Sequence, residues 1–373
     1  MNPIIPTLSV LVSFATVAAA ENLTFFIGTQ KGGGIKSEGI YRSSIDLATG
    51  ELAEPVLAAK VTSPNFLEIS PDGKHLYSVA RGSGAGEVIS FDIAPGDGAI
   101  TKTAALPNGK GPCHITVSPD GRSVLTADYG GGAALSFHVD EKGALEAVAS
   151  EKEFTGSGPN PKRQKRPHCH SATVSPDGRF AYFADLGTDR IMTYALAGET
   201  SALTPADPPF AKLQPGAGPR HMAFAPDGKT AYVINELDST MTVFTQDPES
   251  GALTEKQTIT TLPEDFKESS KCAEVRVHPT GNFVYGSNRG FDSVVVYKVG
   301  AEDGKLSFVE HETEDIEWPR NFNLTPDGKW CLIANANGDN IRVFAIDAET
   351  GALSATPHKI AVGKPMCIRF LAL

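Results

Sequence analysis

The sequence predicts an all-β fold, a seven-bladed β-propeller with four antiparallel strands per blade. Three observations lead there. A turn of the SPDG type recurs at Ser70–Gly73, Ser118–Gly121, Ser175–Gly178, Ala225–Gly228, His278–Gly281 and Thr325–Gly328, at spacings of 48, 57, 50, 53 and 47 residues. A second mark, Gly/Ser-x-Leu/Ile, closes on Leu52, Ile100, Leu145, Leu203, Leu253, Leu306 and Leu353. An unpaired apolar segment stands at each end of the series, Leu23–Gly28 and Met366–Phe370.

Each element follows from these marks. The PDG turns sit between short runs rich in Val, Ile, Phe and Tyr, as in HMAFA-PDGK-TAYVIN around Pro226; this is strand, tight turn, strand. The two marks alternate, so each repeat runs strand a, PDG turn, strand b, loop, strand c, Gly-x-Leu turn, strand d. There are seven Gly-x-Leu turns and six PDG turns. The seventh blade must therefore be assembled from the C-terminal segment as strand a and the N-terminal segment as strand b, which closes the ring and leaves no open sheet edge. The 37 Gly and 26 Pro fit a turn-rich β chain. Although the length would ordinarily suggest two domains, a ring whose units bury their faces on each other is one domain, expected over residues 21–373.

Residues 3–20 are apolar and uncharged and end in Ala18-Ala19-Ala20. This is the pattern of a secretory signal over residues 1–20 with cleavage before Glu21, placing the mature chain in the periplasm or outside the cell with no membrane span. The five cysteines, Cys113, Cys169, Cys272, Cys331 and Cys367, are an odd number without zinc-ligand spacing; they read as small buried hydrophobes. A net charge of −11 argues against a nucleic-acid partner. The cluster Lys162, Arg163, Lys165 and Arg166 lies in the longest repeat and is local, an inserted loop. Neither a GxSxG elbow, a P-loop nor an HExxH motif is present, and neither a metal nor a cofactor is expected.

Register within the repeat points to a site. PDG and Gly-x-Leu turns share one face of the ring, so the d-to-a and b-to-c connections converge on the other. Six residues before each PDG proline stand Asn65, Cys113, His170, Arg220, Ala273 and Arg320; five before stand Phe66, His114, Ser171, His221, Glu274 and Asn321. Nine after, Asp or Asn recurs in five of six blades (Asp128, Asp185, Asn235, Asn288, Asn335), as a structural turn residue would. Ten after, the residues are irregular: Arg81, Tyr129, Leu186, Glu236, Arg289 and Ala336. Charges at the inner ends of strands are rarely buried unpaired. His168, His170, Arg220, His221, Glu236, Glu274, Arg289 and Arg320 are therefore expected to form a polar pocket on one face, where a bland alternative is an ion-paired plug.

The segments GSGPNPKRQKRPHCH (156–170), PGAGPRH (215–221), NELDSTMTVF (235–244), QTITTLPEDF (257–266), SNRGFDSVVV (287–296) and PRNFNLTPDG (319–328) resemble the hallmark segments of the lactonase family. That group of seven-bladed propellers contains bacterial 6-phosphogluconolactonase and fungal carboxy-cis,cis-muconate cyclase. The resemblance spans about Phe25 to Phe370. It implies a metal-independent site built from His168 or His170, Arg220, Glu236 and Arg289, on which the register independently converges. Phe291 departs from the family, standing where the NRG segment usually carries a His.

Together these features are expected to give an exported, monomeric hydrolase that opens a sugar or related small-molecule lactone. Glu236 is expected as the base toward water. Arg220 and Arg289 are expected to stabilise the oxyanion, and His168 or His170 to protonate the leaving oxygen. Arg163, His221, Glu274, Arg320 and Asn321 are expected to bind substrate. A carboxymuconate-type lactonising cyclase and a non-catalytic exported propeller that binds a ligand or partner are the alternatives; Glu236 with two Arg and a His on one face favours chemistry over scaffolding.

Overall fold

A computed structural model describes residues 22–82 and 84–371, and the predicted signal segment lies outside them. The described residues form seven four-stranded antiparallel sheets and contain no helix. The blades are numbered 1 to 7 from the N-terminus, with strand a innermost. In blades 2 to 7 the four strands are consecutive in sequence. Blade 1 takes strand a from Pro365–Phe370 and strands b, c and d from Asn22–Thr29, Gly39–Asp46 and Val56–Lys60. Phe25 lies opposite Phe370 and Ile27 opposite Ile368. The one departure from the expected punctuation is also in blade 1. Leu52 forms only an isolated bridge to Ile45, and strand d begins at Val56; Pro55, with no N–H to give, delays the ladder.

The apolar residues pack between blades. Phe26, Phe66, Leu67, Leu76, Val88 and Phe137, from blades 1, 2 and 3, belong to one continuous cluster, and similar clusters fill the other interfaces. A large side chain buried this way contributes about 1.5–3 kcal/mol.

A polar latch repeats at the same interfaces. Six residues after the PDG proline, four blades carry Tyr, and each hydroxyl donates to a glycine carbonyl in the next blade's Gly-x-Leu turn. The pairs are Tyr77 to Gly143 (2.9 Å), Tyr182 to Gly251 (2.9 Å), Tyr232 to Gly304 (3.1 Å) and Tyr285 to Gly351 (2.8 Å). Glycine is required at these turns for two reasons. Gly251 and Gly351 have φ of +73° and +75°, and a Cβ there would lie 2.4 Å from Phe180 and 2.5 Å from Phe283 of the preceding blade. Blade 7 substitutes Trp330, whose Nε1–H donates to Leu47 O of blade 1 at 3.0 Å.

The recurrent Asp/Asn at the end of strand b is structural, and it does more than start a turn. Asp128 accepts from the N–H groups of Lys110, Gly111 and Gly131, at 2.8, 2.7 and 2.9 Å. It thus ties the loop entering strand a to the loop leaving strand b. Asp185 does the same for His168 and Gly187. These anchors hold the loops of the face on which the unusual residues gather.

Deleting residues 365–373 should abolish the cooperative unfolding transition of the whole ring, because it removes an innermost strand. Tyr285→Phe, which leaves one buried carbonyl unpaired, should cost only about 1–3 kcal/mol. Chemical denaturation followed by tryptophan fluorescence and circular dichroism separates the two. A deletion variant with a wild-type midpoint would sink the shared-blade closure.

Candidate active site

Strand a does not simply alternate. In blades 3, 4, 5 and 7 its pairing with strand b slips by one residue, between Pro112 and His114, Cys169 and Ser171, Pro219 and His221, and Pro319 and Asn321; blade 6 has a related irregularity between Cys272 and Val275. A β-bulge re-aims a side chain that the two-residue period would send to the other face. Two consecutive residues per blade therefore approach the axis, such as Arg220 with His221 and Arg320 with Asn321.

Glu236, buried just past strand b of blade 5, is the hub. Its Oε1 accepts from Arg163 Nη2 at 2.7 Å, and its Oε2 from Arg220 Nε at 3.0 Å. Arg289 Nη2 lies 3.1 Å from Oε2 and His170 Nε2 3.8 Å away. Burial works against the carboxylate's charge, but Arg289, Arg220, His170 and Arg163 together hold its carboxyl well below the usual carboxylate range. Glu236 is thus firmly ionised, and the same interactions make it a weak proton acceptor.

Arg163 comes from the inserted loop, far from Glu236 in sequence. Gln164 pins that loop, donating to Leu186 O at 2.9 Å and Asp189 Oδ1 at 2.7 Å. Arg163 also donates to the Tyr129 hydroxyl at 3.2 Å. Tyr129 stacks on His168, with ring centroids 4.4 Å apart, and its carbonyl lies 3.0 Å from His168 Nδ1. A carbonyl can only accept, so Nδ1 carries a proton, and in the neutral ring the lone pair is on Nε2. Among the described residues Nε2 has no hydrogen-bond partner.

Arg320 differs from the other arginines. It is partly buried, yet among the described residues it makes neither an ion pair nor a hydrogen bond. Burial, together with the nearby Arg220 and Arg289 cations, pulls its guanidinium down to about 9. Four arginines thus face one carboxylate in a chain of net charge −11.

The structure brings His168, His170, Arg163, Arg220, Glu236 and Arg289 together. His221, Glu274 and Asn321 are equally buried and form a second cluster, bonded to one another and, through His221, to Arg220. Tyr129 was not singled out from sequence, although it occupies the same tenth position as Glu236 and Arg289. Trp318, whose ring lies 5.7 Å from the Arg289 guanidinium, has no register signal at all. Cys113 reaches into the same region, with Sγ 3.2 Å from His170 O, and all five cysteines are free. No group of three or more His, Cys, Asp or Glu among the described residues could hold a metal ion.

His114, His170 and His221 are each held well below the ordinary histidine value, first by burial. A neutral buried histidine refuses a proton that the unfolded chain accepts below about pH 6.5, so stability is complete above that pH and falls as pH drops through it. Three such groups give a slope of up to about 4 kcal/mol per pH unit. Urea midpoints measured from pH 8 to pH 5 check this; a flat profile between pH 7 and 5 would contradict the buried neutral cluster.

Comparison with known proteins agrees with this geometry. The family model described as "Lactonase, 7-bladed beta-propeller" matches residues 24–370. The 6-phosphogluconolactonase of Bacillus subtilis is 36% identical over 347 residues, covering 93% of this chain and 97% of that protein. A 6-phosphogluconolactonase of Formosa agariphila is 31% identical over 312 residues, covering 79% and 85%. The structure of the periplasmic gluconolactonase PpgL of Pseudomonas aeruginosa superposes with a TM-score of 0.88 at 32% identity, covering 94% of this chain and 99% of that one. A match over the whole ring, at the level of sequence and of fold, means that this chain belongs to the seven-bladed β-propeller lactonase family.

Proposed function

We propose that the protein is an exported lactonase that hydrolyses a gluconolactone-type sugar lactone on the face holding Glu236. One observation carries this reading: an unpaired, partly buried Arg320 shares its face with an imidazole whose Nδ1 is clamped and whose Nε2 is free. The first group waits for an anion; the second is oriented to take a proton.

His168 Nε2 removes a proton from water as the water oxygen attacks the lactone carbonyl carbon. The carbonyl oxygen becomes an oxyanion, which guanidinium N–H donors stabilise. Arg320 has every donor uncommitted, and Arg289 Nε is buried without a partner. The tetrahedral intermediate collapses, the ring C–O bond breaks, and the imidazolium returns its proton to the departing oxygen. The hydroxy acid ionises to a carboxylate, which the arginine excess also favours. Glu236 holds Arg163, Arg220 and Arg289 in place and offsets their charge; the strength of those pairs makes it a poorer base than the sequence suggests.

The relatives named as 6-phosphogluconolactonase and as periplasmic gluconolactonase support a six-carbon aldonolactone. The apolar segment 3–20 and the periplasmic neighbour support export. A purely structural propeller would have no use for an arginine held unpaired in a half-buried site.

The mature protein should accelerate ring opening of δ-gluconolactone, or of its 6-phosphate, well above the spontaneous rate at neutral pH, as followed by proton release; no acceleration of either would overturn the assignment. His168→Gln and Glu236→Gln should each lower kcat by ~10²-fold or more. Arg320→Ala should mainly raise KM, by about tenfold or more for loss of a charge-assisted contact. A base must be deprotonated, so activity falls as pH drops through its pKa. A limb between pH 5 and 8 belongs to a histidine, whereas one governed by Glu236 would lie below the ordinary carboxylate range.

Protein isolated from its native host should begin near Glu21. An intact Met1 peptide found by mass spectrometry on soluble protein from the cytoplasm would contradict export.

A further inference from the structure

Below Glu236 a single file of hydrogen bonds crosses four blades. The Ile368 N–H in blade 1 donates to Asn321 Oδ1 at 2.9 Å. Asn321 Nδ2, in blade 7, donates to Glu274 Oε2 in blade 6. Glu274 Oε1 lies 3.1 Å from His221 Nδ1 in blade 5. His221 Nε2 lies 3.1 Å from Arg220 Nη1, and Arg220 Nε donates to Glu236 Oε2 at 3.0 Å. Every side chain in the file is at least nine-tenths buried.

Donor and acceptor identities fix the direction of each link. Arginine only donates, so His221 Nε2 must accept; the proton of a neutral imidazole then sits on Nδ1 and points at Glu274. Glu274 accepts at both oxygens: Oε1 from His221 and from the Val275 N–H at 3.1 Å, Oε2 from Asn321, with Arg276 Nη2 3.5 Å away. An amide cannot replace it, because one of its two ends would present hydrogens to another donor.

We infer that Glu274 is a positioning residue for this site: through the Nδ1-protonated form of His221 it fixes the Arg220 guanidinium that holds Glu236. In this role Glu274 and His221 act through Arg220. The inference rests on the lactone-opening reading for its effect on rate, but not for its geometry. It also gives the ring-closing strand a role in the site, since the file starts on the Ile368 amide.

Two measurements test it. In full-length mature protein with 15N-labelled histidine, the ring nitrogen shifts of His221, assigned by their loss in His221→Asn, should show a neutral ring protonated at Nδ1. Protonation at Nε2, or on both nitrogens, overturns the relay. This readout needs no turnover, so lactone opening can fail while the relay stands, and the reverse. Kinetically, Glu274→Gln should lower kcat about tenfold or more through misplacement of Arg220, with KM changed less than threefold. Adding Asn321→Asp restores the pattern: the amide oxygen accepts from His221, its NH2 donates to the new carboxylate, and that carboxylate accepts from the Ile368 amide. The double variant should regain most of the lost kcat and the Nδ1 proton. Wild-type kcat in Glu274→Gln, or a double variant no better than the single one, overturns the inference. Should Glu274→Gln fail to fold, the wild-type tautomer and the double variant still decide it.

Discussion

Closure of the ring is the constraint on which everything else rests. Blade 1 exists only because the last strand pairs with the first, Phe370 opposite Phe25 and Ile368 opposite Ile27. Until that pairing forms, two blades face solvent with apolar surfaces that the rest of the ring buries. Closure also sets the distances across the axis. Arg163, Arg220, Glu236 and Arg289 come from two neighbouring blades and the inserted loop, and they meet within hydrogen-bond range only in a ring of this circumference.

The electrostatics are local and opposite in sign to those of the whole chain. An acidic protein carries a small well in which arginines outnumber the single carboxylate. Such a well needs Glu236. Without it three guanidinium groups would be crowded together in a desolvated space, and burial alone already weakens the charged form of Arg220 and Arg320. The carboxylate that the sequence suggests as a proton acceptor is better suited to assembling the cations. In the proposed mechanism proton transfer falls to an imidazole clamped by the Tyr129 carbonyl.

Much of the architecture was legible because punctuation is cheap to read. Turns need particular residues, and their alternation gives the strand order, the blade count and the shared blade. The site was legible as register: the sixth and fifth positions before the proline and the tenth after it held the charges. Two things were hidden. A one-residue bulge leaves no mark in composition, so simple alternation would have separated His170 from Ser171 and Arg220 from His221. Side-chain pairing was hidden too: Glu274, His221 and Asn321 stood in register as candidate substrate contacts, and the structure shows them hydrogen-bonded to one another and, through His221, to Arg220. Arg163 is a different case. Its loop was visible as an insertion, but its partner was set by tertiary folding alone.

The inter-blade latches all point the same way round. Blades 2, 4, 5, 6 and 7 each offer a donor from the second strand to the last turn of the next blade, so such a unit is compatible with a copy of itself placed next in line. That is the condition for a ring to grow by tandem duplication, because a new copy brings both halves of the joint. It also limits how the joint can drift. Blade 3 has Leu125 where four blades have Tyr, and blade 4 has Ser201, at φ +56°, where the other Gly-x-Leu turns have glycine. There the joint is remade by Ser123 and Ser136 of blade 3, bonded to the hydroxyl and carbonyl of Ser201 at 2.8 and 2.6 Å. Donor and acceptor differ together at that seam, as they do between blades 7 and 1, where Trp330 donates to Leu47 O. The two sides of each interface behave as a single heritable unit whose members lie in neighbouring repeats.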